Sequence, residues 1–528
     1  MLEKNILLVI SLLFIVSLLS MLSRRLKIAY PIFLVLSGLV ISLIPGTPHI
    51  ALKPELIFII FLPPLLYSAA LDTSWREFWF LRRPIASLAF GLVLSTSLIV
   101  AVVAKNMIPG FTLALGFLLG GIISPPDAVA ATSVTKGLKV PKRVISILEG
   151  ESLVNDASSL IVFRFALAAI LTGMFSMLNA GKTFFIVAII GILVGLVVGY
   201  ILYLVHKYLP TTASIDTALS IVGPYLSYIV AEQFHASGVL AVVTTGLFIT
   251  YRAHEIFSYN SRLQMQSVWN TLVFLMNGFV FIVIGLQLKG IVSGLAPDYS
   301  LGTAIFYALI IALVTIGIRI FSVFYRPVLW YIIDKNKFLL REHWKSFFVV
   351  AWSGMRGVVS LAAALSIPLT LKNGDAFPHR DLILFITFVV ILVTLVLQGL
   401  SLPFIVKWLK IDIQEQESQQ IHEMHIRLAT HVLEYIDSNY AEKLGESSII
   451  KSMRERYESL LNSSQKWLSD TTDTDPDQDF SYLTFLLEIV NIKRTELNSI
   501  RNEKKYAEEA IKKIEREIDI EEARVRWN

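Results

Sequence analysis

The sequence predicts an all-α polytopic membrane protein with about thirteen spanning helices and a polar helical tail. Three observations predict it. Of the 528 residues, 55% are hydrophobic and only 16% charged, and mean hydropathy is +0.65. The apolar residues fall into runs long enough to cross a hydrocarbon core, which takes roughly 20 residues per helix. That pattern stops near residue 410, beyond which the chain turns polar.

In order, the runs lie near 5–22, 29–45, 55–71, 84–104, 111–135, 143–171, 183–206, 214–234, 238–251, 265–288, 300–332, 345–369 and 381–409. The first is followed by Arg24, Arg25 and Lys27. A cleavable leader carries its charges ahead of the apolar run and a small-residue site after it, so this run reads as a retained span. The connecting segments 23–28, 72–83, 136–143, 207–213, 252–263 and 326–345 carry about 18 Lys and Arg, against about 7 in the alternate ones. The positive-inside rule then places the N-terminus outside and the tail in the cytoplasm of a cell with a plasma-membrane location.

The formal net charge of +5 hides a split. Residues 1–410 hold about 30 basic and about 16 acidic side chains, and 411–528 about 16 and about 25. An acidic tail disfavours a nucleic-acid role, because phosphate binding needs clustered positive charge. The tail reads as several helices with an acidic break at Asp470–Asp479. After the break, Leu486, Val490, Leu497, Ile500, Ile511, Ile514 and Ile518 mark an amphipathic stretch. It is a solvated surface or a regulatory, dimer-contacting domain. Cysteine is absent, which excludes disulfides, thiolate metal sites and a cysteine nucleophile. Nothing in the sequence calls for a cofactor or an enzymatic activity.

Ionisable groups inside hydrocarbon are costly, so each one within a span is a functional candidate. The fifth span contains Ser124-Pro125-Pro126-Asp127. Two prolines remove two backbone donors and disfavour helix in the preceding residue, so the helix should break there and free carbonyls beside Asp127. Such backbone survives at membrane depth only where it is buried in protein or lines a cavity. The alternative is a kinked span in which Asp127 caps a helix. In the sixth span, Glu151, Ser152, Asn155 and Asp156 fall on one face within an arc of roughly 140°. The twelfth contains Ser353-Gly354-Met355-Arg356-Gly357, a second weakened helix. A buried guanidinium needs a carboxylate, and Glu151 is the expected partner of Arg356. Arg319 reads as structural, and Arg164 as packing or reaching an interface. Breaks at matching places in two halves point to a midplane transport site in an inverted-repeat transporter.

These residues resemble the electroneutral sodium/proton exchangers, the NhaP-like branch of the cation:proton antiporters. The resemblance rests on Glu151-Ser-Leu-Val-Asn-Asp156-Ala157, Phe61-Leu-Pro-Pro-Leu-Leu66, Gly354-Met-Arg-Gly-Val-Val-Ser-Leu361 and Thr394-Leu-Val-Leu-Gln-Gly-Leu400, in that family's order along residues 1–410. It implies a homodimer in which thirteen helices form a dimerisation domain and a mobile core crossed by two unwound helices. It also implies that Asp156 binds cation or proton with help from Asp127 and Ser152, and that Glu151 pairs with Arg356. One departure is visible. The family has Thr-Asp-Pro where this chain has Pro126-Asp127-Ala128, so the ligand available at 126 is a carbonyl rather than a hydroxyl.

The expected activity is exchange of Na+ for H+ by competition at Asp156, with Asn155 alongside and with K+ or Li+ as alternative cations. Because Asn155 stands where a second acid could, one charge is exchanged for one. A cation channel would need a carbonyl filter or an acid ring in a symmetric pore, and no filter sequence is present. An intramembrane metallohydrolase would need a motif such as His-Glu-x-x-His, whereas the nine His here are scattered. His206, His235 and His254 read as solvated.

Overall fold

The computed structural model describes residues 2–44, 59–135, 138, 140–173, 177–295, 299–334, 337–371, 374–409, 414–441, 447–469, 476–502, 511, 514 and 517–523. The chain separates into two compact units, Met1–Ile411 and Asp412–Asn528.

In the first unit the apolar runs are helices: α1 (Leu2–Leu26), α2 (Tyr30–Ser42), α3 (Leu62–Asp72), the short α4 (Trp75–Phe80) and α5 (Arg82–Met107). Then come α6 (Leu113–Ile123), α7 (Ala128–Thr135), α8 (Lys142–Thr172), α9 (Met177–Tyr208), α10 (Ala213–Gln233), α11 (Gly238–Ile256) and α12 (Tyr259–Leu286). The unit closes with α13 (Leu288–Leu295), α14 (Leu301–Asp334), α15 (Lys337–Trp352), α16 (Val358–Leu365) and α17 (Arg380–Leu409). Among the described residues, nine helical segments are long and apolar enough to cross a bilayer by themselves. The count of thirteen is therefore not reached on that criterion. The other four expected spans contain the helices α2, α3, α11 and α15–α16, but α2 and α3 are short, α15 and α16 are halves of one run, and α11 ends in the charged turn Arg252–Glu255.

Packing sorts these helices into two bundles. In one, α9, α10 and α11 pack on each other, α11 on α3, and α12 on α2 and α1. In the other, α5 packs on α6, α6 on α8, and α14 on α15 and α17. Close approach of α6 to α5 depends on Gly120, where a Cβ would lie 2.6 Å from Ser97 Cα. Small residues four apart are the usual device for bringing membrane helices together, and Gly116 one turn earlier meets Ala101 in the same way.

Both expected interruptions are present in the second bundle. The fifth span divides into α6 and α7 around Ser124–Asp127, and the twelfth into α15 and α16 around Ser353–Gly357. Two further irregularities flank them. Residues Ser87–Leu92 of α5 and Thr394–Gln398 of α17 are wound as π-helix, which leaves backbone groups free for other partners. Ser158 donates to Ala89 O at 2.5 Å, and Thr394 Oγ1 accepts the Arg356 N–H at 3.0 Å.

The second unit holds α18 (Gln414–Asn439), α19 (Ser448–Ser469) and α20 (Pro476–Asn502), with α18 packed on α19. Val490, Leu497, Ile511 and Ile518 of the expected amphipathic stretch pack together in a small core. Lys493–Glu521 (2.7 Å) and Arg494–Asp519 (2.6 Å) tie the same two segments on their solvent side. Of the expected acidic break, residues 470–475 lie outside the described residues, and α20 begins at Pro476.

Candidate functional site

The two breaks cross. Asp127 N–H donates to Met355 O at 2.7 Å, one interrupted backbone satisfying the other. Pro125 and Pro126 supply no N–H that would need a partner, which is what makes the break affordable in a membrane interior. Asp127 Oδ1 accepts the N–H groups of Val129 (2.8 Å) and Ala130 (3.3 Å), capping α7. Its other oxygen faces Gly357, where any Cβ would collide with it, at the start of α16. One carboxylate thus serves two half-helix N-termini, whose partial positive charges favour an anion. The span is broken as expected, and Asp127 also caps the half-helix that follows, so the break and the cap occur together.

α8 runs past the crossing and presents its polar face to it. Asn155 Nδ2 donates to Pro126 O at 3.3 Å, and Ala128 N–H donates to Ser152 Oγ at 3.4 Å. Asn155 itself is fully buried, with Oδ1 left without a partner. Asp156 is 6% exposed, and among the described residues its carboxylate makes no hydrogen bond or ion pair. The structure therefore brings Pro126, Asp127, Ser152, Asn155 and Asp156 together, with the Asp156 carboxylate and Asn155 Oδ1 as the oxygens not already engaged.

The expected pairing of Glu151 with Arg356 is corrected. Arg319 of α14 takes Glu151 in a two-pronged bond, Nη1 to Oε1 at 2.6 Å and Nη2 to Oε2 at 3.0 Å, with both side chains at most 1% exposed. Nε and Nη2 of Arg319 also reach Val350 O at 3.3 and 3.1 Å, on the last turns of α15. Gly354 explains the choice, because a Cβ there would collide with the Arg319 side chain that crosses it. Arg356 is equally buried, but its Nε and Nη1 are without partners. Residue spacing along one helix gives no information on which of two distant guanidinia arrives, and that is why the sequence misassigned the pair.

Asp127, Ser152 and Asp156 line a cavity of about 1100 Å³ between the two bundles. Its far wall comes from the first bundle: Tyr30, Ser68, Asn270 and Asn277. It extends to Arg24 and Asp72, at the ends of α1 and α3, and to Ile145 and Glu149 in the first turns of α8. Along α8, Glu149 precedes Asp156 by seven residues, about 10 Å. The wall residues Tyr30 and Asn277 carried no signal in the sequence, since a lone Tyr or Asn in an apolar run has no motif around it.

One histidine reading is also corrected. His206 is 6% exposed, and its Nδ1 lies 2.8 Å from Asp216 Oδ1, while Ser261 donates to Asp216 Oδ2 at 2.7 Å. It joins the ends of α9, α10 and α12. His235 and His254 are exposed, as expected.

The profile of the family described as "Sodium/hydrogen exchanger, transmembrane" matches residues 10–408. The chain belongs to that family. An uncharacterised Na+/H+ exchanger of Mycobacterium tuberculosis is 30% identical over 515 residues, covering 96% of this chain and 93% of its own. A "Sodium, potassium, lithium and rubidium/H(+) antiporter" of Bacillus subtilis is 34% identical over 72% of this chain and 58% of its own. Among solved structures, the sodium proton antiporter of Methanocaldococcus jannaschii aligns with a TM-score of 0.62 at 20% identity, over 78% of this chain and all of that one. This exchanger therefore shares the antiporter fold, with the two crossing breaks in its second bundle.

Proposed function

We propose that the protein is a secondary antiporter exchanging Na+ for H+ one for one across the plasma membrane, with Asp156 as the group that carries either ion. The observation that carries this reading is the buried, unengaged Asp156 carboxylate at the cavity, beside the crossing. An isolated charge there is costly, so the carboxylate holds a proton or a cation in turn. Asp127 keeps the crossing in register, Ser152 and the Pro126 carbonyl border the cation, and Asn155 holds that carbonyl in place.

Charge counting supports the stoichiometry. Asp127, Glu151 and Asp156 oppose Arg319 and Arg356, three negative against two positive, so the site is one negative charge in excess. One proton or one monovalent cation neutralises it. Either loaded form then crosses the membrane without net charge, and alternating access couples the two flows. The N-terminus lies outside and the tail in the cytoplasm, so the cavity opens inward. The tail unit is regulatory, and the protein works as a homodimer.

A second reading, exchange of K+ as well as Na+, is favoured by one feature. The Pro126 carbonyl and Asp127 Oδ1 both already have partners, which leaves few fixed ligands to enforce a small cation. Proteoliposomes loaded with a pH-sensitive dye test both readings. Addition of Na+ to acid-loaded vesicles should alkalinise the lumen, and clamping the membrane potential should not change the rate. No response to Na+, K+ or Li+ would remove the exchange reading, and a steady voltage dependence would remove the one-for-one stoichiometry.

A further inference from the structure

Arg164 has no part in the site just described. It follows Asp156 by eight residues on α8, about 12 Å further along the helix, on the side away from Glu149 and the cavity mouth. Its Nη2 donates to Glu232 Oε1 at 2.9 Å. Glu232 is in the last turn of α10, and α8 and α10 belong to different bundles. The pair therefore spans the seam between the bundles beyond the cavity, whose lining on α8 runs from Ile145 to Asp156. Tyr228, one turn earlier on α10, is buried against Gly238 of α11, which fixes the glutamate's helix end to its own bundle.

The geometry points to a latch: the Arg164–Glu232 pair holds the two bundles together beyond the cavity and biases the exchanger toward the state whose cavity opens past Glu149. Opening the opposite side requires α8 to move against α10, and a bond of 2.9 Å does not survive that movement. The exposure of the partners suits a contact that breaks in every cycle. Their side chains are 53% and 33% exposed, so water takes over their bonds when they part, unlike the sealed Glu151–Arg319 pair. A pair in such a setting shifts an equilibrium by no more than about fivefold.

The latch goes beyond the exchange reading and depends on it only for a transport readout. In vesicles of fixed orientation, the apparent external constant for Na+ varies inversely with the fraction of protein open to that side. R164Q and E232Q should each lower it about two- to fivefold, and raise the internal constant by the factor by which the inward-open fraction falls. The reversal R164E/E232R should return it toward the starting value. A second readout needs no transport. The chain has no cysteine, so Thr271→Cys in the cavity wall gives a single site for an impermeant maleimide applied from the cavity side. Labelling should slow in either single variant and recover in the reversal, and either single variant suffices if the other inserts poorly. Unchanged external constants and labelling rates, or effects that the reversal leaves in place, would overturn the latch. Failure of the unmodified chain to exchange any alkali cation would count against the exchange reading alone, and labelling would still decide the latch.

Discussion

Replacing Arg319 by alanine should be the most destabilising single change in the second bundle. It leaves Glu151, which is 0% exposed, as a buried charge with no bonded partner. Breaking a buried pair from one side costs roughly 3–5 kcal/mol. Val350 O also loses its two donors from the same guanidinium, about 1 kcal/mol more. The sum, about 4–6 kcal/mol, is comparable with the whole stability of many domains. Arg356→Ala removes a guanidinium whose Nε and Nη1 have no partner, so it should cost less, about 1–3 kcal/mol. The assay is thermal unfolding of detergent-purified protein followed by size-exclusion chromatography. Adding Glu151→Gln to Arg319→Ala should recover a substantial part of the loss, since the orphaned charge is then gone. A normal midpoint for Arg319→Ala, or a lower one for Arg356→Ala than for Arg319→Ala, would refute the assignment of the pair.

Further expectations concern transport. Asp156→Asn should abolish Na+-driven proton movement in proteoliposomes while yield and midpoint stay near normal, and substantial residual exchange would take Asp156 out of the centre. Gly357→Ala places a methyl group against the Asp127 carboxylate, so exchange should fall steeply and stability by about 1–3 kcal/mol. Asn155→Asp adds a fourth carboxylate to the site, and any transport it retains should become voltage-dependent, read by clamping the vesicles with valinomycin. Truncation after Ile411 should leave cation-dependent exchange in place, because the tail is a separate compact unit, and its loss would show that the tail is needed for the chemistry itself.

Much of this architecture was legible because a membrane penalises irregularity. Two prolines at 125 and 126 in an otherwise apolar run admit few arrangements, and the break lies at those residues. The polar face of α8 followed from helical period alone, and Asn155 and Ser152 do meet the break. Partner choice was another matter. Arg319 and Arg356 are both single basic residues in apolar helices, and only the path permitted by Gly354 decides between them for Glu151. His206 was misread for a similar reason, since its partner Asp216 comes from another helix and both lie at span ends where solvation is the default. The π-helical turns at 87–92 and 394–398 left no mark on composition at all.

The bond between Asp127 N–H and Met355 O also bears on how the protein is made. Its two ends are about 230 residues apart, and synthesis at roughly 5–20 residues per second puts about 10 to 50 s between them. During that interval the fifth span sits in the bilayer with a donor whose acceptor has not yet been translated. An unfinished chain thus carries an unpaired backbone donor at the fifth-span break until the twelfth span arrives.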